Sequence, residues 1–122
     1  MEITAKYLKS CPDRIFVFGD NTLRKGKGGA ASLRDISNTY GFITKKFPDC
    51  RDVSFYKPDE YLLVYEEEIA KLKKAIESSP SKKFLISKLG SGLANRFKIF
   101  EGIIEPKIKQ DLKDYNNVTF LW

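Results

Sequence analysis

Two glycine-rich segments hold the residues of this sequence best suited to chemistry. The first runs Gly19-Asp20-Asn21-Thr22-Leu23-Arg24-Lys25-Gly26-Lys27-Gly28-Gly29-Ala30-Ala31 and places Gly26, Gly28 and Gly29 close together. Backbone without Cβ atoms can bring its N–H groups against an anion, and a helix that starts directly afterwards adds the positive end of a dipole. The segment lacks the Gly-Lys-Ser/Thr ending of a Walker A loop and is not a clean dinucleotide fingerprint. The second segment, Ser87-Lys88-Leu89-Gly90-Ser91-Gly92-Leu93-Ala94-Asn95-Arg96, sets two glycines around a serine. Its turn can hold a phosphate, with Ser91 donating a hydroxyl hydrogen bond and Arg96 a guanidinium. A third segment, Thr44-Lys45-Lys46-Phe47-Pro48, adds two lysines. Taken singly, these read equally as a flexible basic loop, a tight turn and a solvated pair of charges. Taken together, they point to an anionic ligand.

Residue types that are missing narrow the chemistry further. The chain has 0 His, which excludes a Ser-His-Asp or Cys-His triad, a His-ligated metal and an imidazole base. Its 2 cysteines, Cys11 and Cys50, are too few for a tetrahedral zinc site and read as free thiols. No metal or cofactor is expected. The formal charge of +6 suits nucleic acid, a phosphate-bearing small ligand, or simply a lysine-rich surface, so charge alone does not choose. With 42% hydrophobic and 31% charged residues in 122, the composition is that of one soluble folded domain spanning 1–122. No apolar run approaches the roughly 20 residues that span a bilayer, and the first residues lack the apolar core of a secretion signal. A cytoplasmic protein without membrane contact is expected, while the oligomeric state is not legible.

The elements that must position these loops can be read from pattern. Arg14–Phe18, Tyr40–Ile43, Lys83–Ile86 and Val118–Leu121 are short apolar runs that read as buried strands, the first ended by a turn at Gly19-Asp20-Asn21. Pro58-Asp59-Glu60 opens a helix whose apolar face is Leu62, Tyr65, Ile69, Leu72 and Ile76. A second long helix carries Phe100, Ile104, Ile108, Leu112 and Tyr115, with Pro106 expected to kink or split it. A short helix is expected from Gly29 to about Arg34. Strands alternating with helices predict an α/β fold with a mainly parallel or mixed sheet flanked by helices. Ligands of such sheets bind outside the carboxyl ends of the strands, where all three segments fall.

The order Gly-Lys-Gly-Gly-Ala-Ala (26–31), Tyr-Gly-Phe-Ile-Thr-Lys-Lys (40–46), a long helix, Leu-Gly-Ser-Gly-Leu (89–93), a helix and a closing strand resembles macrodomains. Within them it looks like the small branch that contains the terminal ADP-ribose protein glycohydrolase. Val-Phe-Gly-Asp-Asn (17–21) and Gly-Ser-Gly-Leu-Ala (90–94) are also similar to small uncharacterised phage and bacterial proteins. The resemblance implies a macrodomain-like fold in which Gly26 to Ala31 lie near the distal ribose and diphosphate, Gly90 to Leu93 wrap the diphosphate, and Asp20 lies near the adenine. It also implies that Lys45 is the lysine that attacks the distal ribose in the hydrolases. Those enzymes carry an aspartate directly after Gly-x-Gly-Leu, where this chain has Ala94. Alanine can neither take nor give the proton that would resolve a lysine adduct.

The expectation is therefore a protein that binds ADP-ribose, an ADP-ribose-like molecule or a cyclic nucleotide, sequestering a signal as a phage anti-defence protein in its host's cytoplasm would. The binding residues expected are Asp20, Asn21, Gly26, Lys27, Gly28, Gly29 and Ala30 from the first segment, and Thr44 and Lys45 from the third. The second supplies Gly90, Ser91, Gly92, Leu93, Asn95 and Arg96. The alternatives are an ADP-ribosyl hydrolase using Lys45, and a nucleic-acid binder whose aromatics are otherwise explained by core packing.

Overall fold

Alternation along the first strand, β1 (Arg14–Asn21), divides the molecule. Val17 points to one side of the sheet and Phe16 and Phe18 to the other, so the strand is apolar on both faces and must lie at the centre. The computed structural model describes residues 2–122. A short helix α1 (Ala5–Ser10) precedes β1, and β2 (Thr39–Lys45), helix α2 (Pro58–Ser78), β3 (Lys83–Ile86), helix α3 (Ile108–Asp111) and β4 (Val118–Phe120) follow it. The sheet has four strands in the order β2-β1-β3-β4, and every neighbouring pair is parallel. The fold class is thus α/β with a parallel sheet.

The larger core lies on the Val17 side. There Phe42, Phe84 and Ile86 of the sheet meet Tyr61, Tyr65, Ile69, Leu72 and Ile76 of α2 and the segment from Ile99 to Leu112. The opposite face is covered by α1 through Leu8 and by a single 3₁₀ turn, Gly29–Leu33, through Ala31. The connection from β1 to β2 covers one face, and the connections from β2 to β3 and from β3 to β4 cover the other. That division is what right-handed crossovers on both sides of β1 produce.

The structure amends four expectations. β1 continues through Gly19-Asp20-Asn21, because Gly19 pairs with Phe42 and Asp20 with Ile43 before the register shifts. β2 likewise takes in Thr44 and Lys45. On α2, Leu62 is 43% exposed and Tyr61 is fully buried, since the tyrosine hydroxyl finds the Ile43 carbonyl. The second long helix is instead a π-helix, Phe100–Ile104, closed by an i→i−5 bond from Glu105 N–H to the Phe100 carbonyl at 2.8 Å, followed after Pro106 by the four-residue α3. Of its expected face, Phe100, Ile104, Ile108 and Leu112 are buried all the same, while Tyr115 lies beyond α3 and is half-buried. Helix α1 was not legible as a helix; Thr4 caps it by accepting the Tyr7 N–H at 3.1 Å.

Two tyrosines of α2 make stability depend on alkaline pH. Burial raises the phenols of Tyr61 and Tyr65 well above their ordinary range, and the hydrogen bond from Tyr65 to Asp111 at 2.7 Å adds to the second shift. Above the ordinary phenol pKa the folded state therefore binds more protons than the unfolded chain. This contribution is fully present below about pH 10 and falls by about 1.4 kcal/mol per phenol for each further pH unit. Urea melts at rising pH should show that decline, and Tyr65→Phe should make it shallower. Ionisation of all tyrosines ahead of any loss of circular dichroism would contradict it.

Candidate functional site

The carboxyl ends of β1, β2 and β3 open into a cleft of about 460 Å³. β1 and β3 are the strands at which the chain reverses its direction across the sheet, so their connections leave on opposite faces and a crevice remains between them. The strand ends meet closely at Gly19: a Cβ there would lie 3.0 Å from Thr44 Oγ1 and 3.7 Å from the Gly90 nitrogen. The two glycine segments also touch, since a Cβ on Gly28 would stand 2.9 Å from Leu93 Cδ1. Two of the turns depend on glycine outright, Gly26 at φ 91° and Gly90 at φ 78°.

Most of the expected residues come together here. Asp20, Asn21, Gly26, Gly28, Gly29 and Ala30 line the cleft from one side, Thr44 and Lys45 from the end of β2, and Gly90, Gly92 and Leu93 from the other side. Gly28, Gly29, Gly92 and Leu93 are exposed, and among the described residues their amides donate to no backbone carbonyl. Lys45 holds its ammonium 4.8 Å from the centre of the Phe55 ring. Lys25 and Lys88 also line the cleft, and no ion pair among the described residues occupies Lys25, Lys45 or Lys88. The one carboxylate lining the cleft among the described residues, Asp20, is neutralised by Arg24 at 3.1 Å and Arg34 at 2.7 Å. The result is a hollow lined by lysines outside any described ion pair and by amides outside the described backbone bonds, a lining suited to an anion of phosphate type.

Four expected residues are placed elsewhere. Lys27 turns to solvent and pairs with Asp35 at 2.5 Å. Ser91 donates its hydroxyl to the Lys88 carbonyl at 2.6 Å, holding its own turn closed. Asn95 accepts from the Phe100 N–H at 3.1 Å and donates to Glu101 at 2.9 Å, a capping role at the start of the π-helix. Arg96 pairs with Asp52 and lies 4.4 Å over the Phe55 ring. The helix expected after the first glycine segment is one 3₁₀ turn of five residues, too short to sum a useful dipole, so amides and lysines supply the positive potential. Ala31, which the resemblance alone placed near the ligand, also lines the cleft, and so do Gly19, Lys25, Pro48, Ser87, Lys88, Leu89 and Ala94, which lie outside the expected binding set. The signal for Lys25 and Lys88 was present, as lysines beside glycines in the same segments.

Fold and site together define a parallel α/β protein with a glycine-lined cleft at the switch point of its sheet. Residues 1–96 match the model of DUF7831, a family of unknown function, and the chain belongs to that family. The matched segment contains every residue that lines the cleft, Ala94 being the last of them. No curated protein and no solved structure matches the chain.

Proposed function

We propose that this protein is a macrodomain-like binder of ADP-ribose or a related nucleotide, cyclic ones included, that grips phosphate in the cleft and does not consume the ligand. The observation that carries this reading is the convergence of the two glycine segments, in contact at Gly28 and Leu93, on one hollow lined by three unpaired lysines. Backbone amides and ammonium groups are what a diphosphate needs, and they require no general acid. Ala94 lines the hollow where the resembling hydrolases carry an aspartate, and Asp20 has both oxygens committed to arginines. In a bacterial cytoplasm such a binder would withdraw a nucleotide signal from circulation, the role proposed for it as a phage-type protein.

Hydrolysis through Lys45 is the second reading, supported by that residue's place in the lining of the cleft with no carboxylate partner among the described residues. Calorimetry against ADP-ribose, cyclic ADP-ribose isomers and cyclic dinucleotides tests the first reading, and the mass of ligand recovered after long incubation separates it from the second. Gly92→Val is the matching variant. No atom lies within 4 Å of the position its Cβ would take, so the fold should be untouched while the branched side chain blocks backbone approach. Binding should be abolished with the melting temperature unchanged, and unaltered affinity would remove Gly92 from the site. Oligonucleotide binding should be weak and steeply salt-dependent; a tight, sequence-selective complex at physiological salt would favour nucleic acid instead.

A further inference from the structure

Asp20 is the acid of the cleft, yet its side chain is only 2% exposed and its contacts are already made. Oδ1 forms an ion pair with Arg34 at 2.7 Å and accepts from the backbone N–H of Asn21 at 2.8 Å, and Oδ2 accepts from Arg24 at 3.1 Å. Arg34 in turn spreads its guanidinium beyond this carboxylate. Its Nε donates to the Gly26 carbonyl at 3.0 Å and its terminal nitrogen to the Lys25 carbonyl at 3.1 Å. The Lys25 carbonyl takes a second donor, the side-chain amide of Asn21, at 2.7 Å.

This arrangement has an electrostatic consequence for the glycine segment. Each trans peptide points its N–H opposite to its C=O, and no peptide among the described residues is cis. Fixing the carbonyls of Lys25 and Gly26 on Arg34 therefore turns the amides of Gly26 and Lys27 away from that cation and keeps two carbonyl oxygens from facing a bound anion. We infer that Asp20 and Arg34 are positioning residues: Asp20 anchors Arg34, Arg34 orders residues 25–29 to receive phosphate, and Asp20 itself touches no part of the ligand. The inference rests on the reading of the cleft as a phosphate site. It departs from the resemblance to macrodomains, which would set this acid beside the adenine.

The test compares wild type with Arg34→Lys, Arg34→Met and Asp20→Asn, using inorganic pyrophosphate, ADP-ribose and the hypoxanthine analogue of ADP-ribose as probes. Lysine keeps a cation for Asp20 but cannot fork across two carbonyls as well. Arg34→Lys should melt close to wild type yet bind pyrophosphate and ADP-ribose about tenfold more weakly, the loss equivalent to one hydrogen bond from a charged donor. Asp20→Asn should weaken all three probes by one common factor. Amide relaxation by NMR on ligand-free protein supplies a readout independent of binding: residues 25–29 should be as rigid as β1 in wild type and mobile in both Arg34 variants.

Two results would overturn the inference. One is an Asp20→Asn protein that loses the preference between adenine and hypoxanthine while holding pyrophosphate unchanged, which would make Asp20 a base-reading group. The other is a segment 25–29 that stays equally rigid in Arg34→Met or Arg34→Lys. If wild type binds none of the probes, the phosphate reading fails, and the relaxation data alone then decide whether Arg34 orders the segment.

Discussion

Gly41→Ala is expected to destabilise the fold by about 3 kcal/mol or more, the scale for disrupting a buried ion pair. Gly41 pairs with Phe18 in the sheet, and the buried carboxylate of Asp20 lies directly over it. A Cβ at this position would stand 2.3 Å from Asp20 Oδ2, 3.0 Å from Asp20 Cβ and 2.7 Å from a terminal nitrogen of Arg24. The end of Arg24 can move aside, but Asp20 is held in the strand and by Arg34, so the carboxylate must be pushed out of its cluster. Arg24 would also lose its 2.8 Å bond to the Gly41 carbonyl. Urea denaturation measures the loss, and a variant as stable as wild type would show that the cluster has room to spare. Gly41 needs no unusual backbone angle; it is glycine because of what lies above it.

Glu68→Leu should cost about 2–3 kcal/mol and leave the protein prone to self-association, whereas Glu68→Gln should lie close to wild type. Glu68 is buried on α2 and accepts the Ile43 N–H at 2.7 Å, with Lys71 3.5 Å away. Tyr61 donates to the Ile43 carbonyl, so both backbone groups of an edge-strand residue are sealed by one helix. Leucine fills similar space but accepts nothing, which orphans a buried donor and frees a strand edge. Gln retains an acceptor oxygen. Denaturation curves together with light scattering distinguish these outcomes, and a monodisperse Leu variant of full stability would refute the sealing role.

Much of the fold was legible because local pattern and final burial agree. The four apolar runs became the four strands, and Pro58 did open the long helix. The misread parts share a cause, which is competition from distant partners. Gly19-Asp20-Asn21 has turn chemistry by type, but ladder bonds to β2 and the arginine pair draw it into β1. Leu62 has the better apolar side chain, yet Tyr61 is the residue that can satisfy the Ile43 carbonyl. At the cleft, glycines announced themselves by clustering, whereas Arg96 and Asn95 were drawn off by Asp52 and Glu101, contacts no local spacing reveals. Arg34 is the clearest omission. It sits eight and nine residues from the carbonyls it holds, outside any motif.

A sheet of order β2-β1-β3-β4 with every pair parallel contains no hairpin. Its ladders join Phe16 to Thr39, Arg14 to Lys83 and Phe84 to Val118, so each closes a long stretch of chain before it gains its hydrogen bonds. Contact order is correspondingly high, which places folding among the slow cases for a small domain. During synthesis β1 leaves the ribosome well before its second neighbour, β3, which follows only after all of α2. In that interval the edge of β1 that will pair with β3 stays without its hydrogen-bond partners on the nascent chain, a target for chaperones and a hazard for aggregation at high expression.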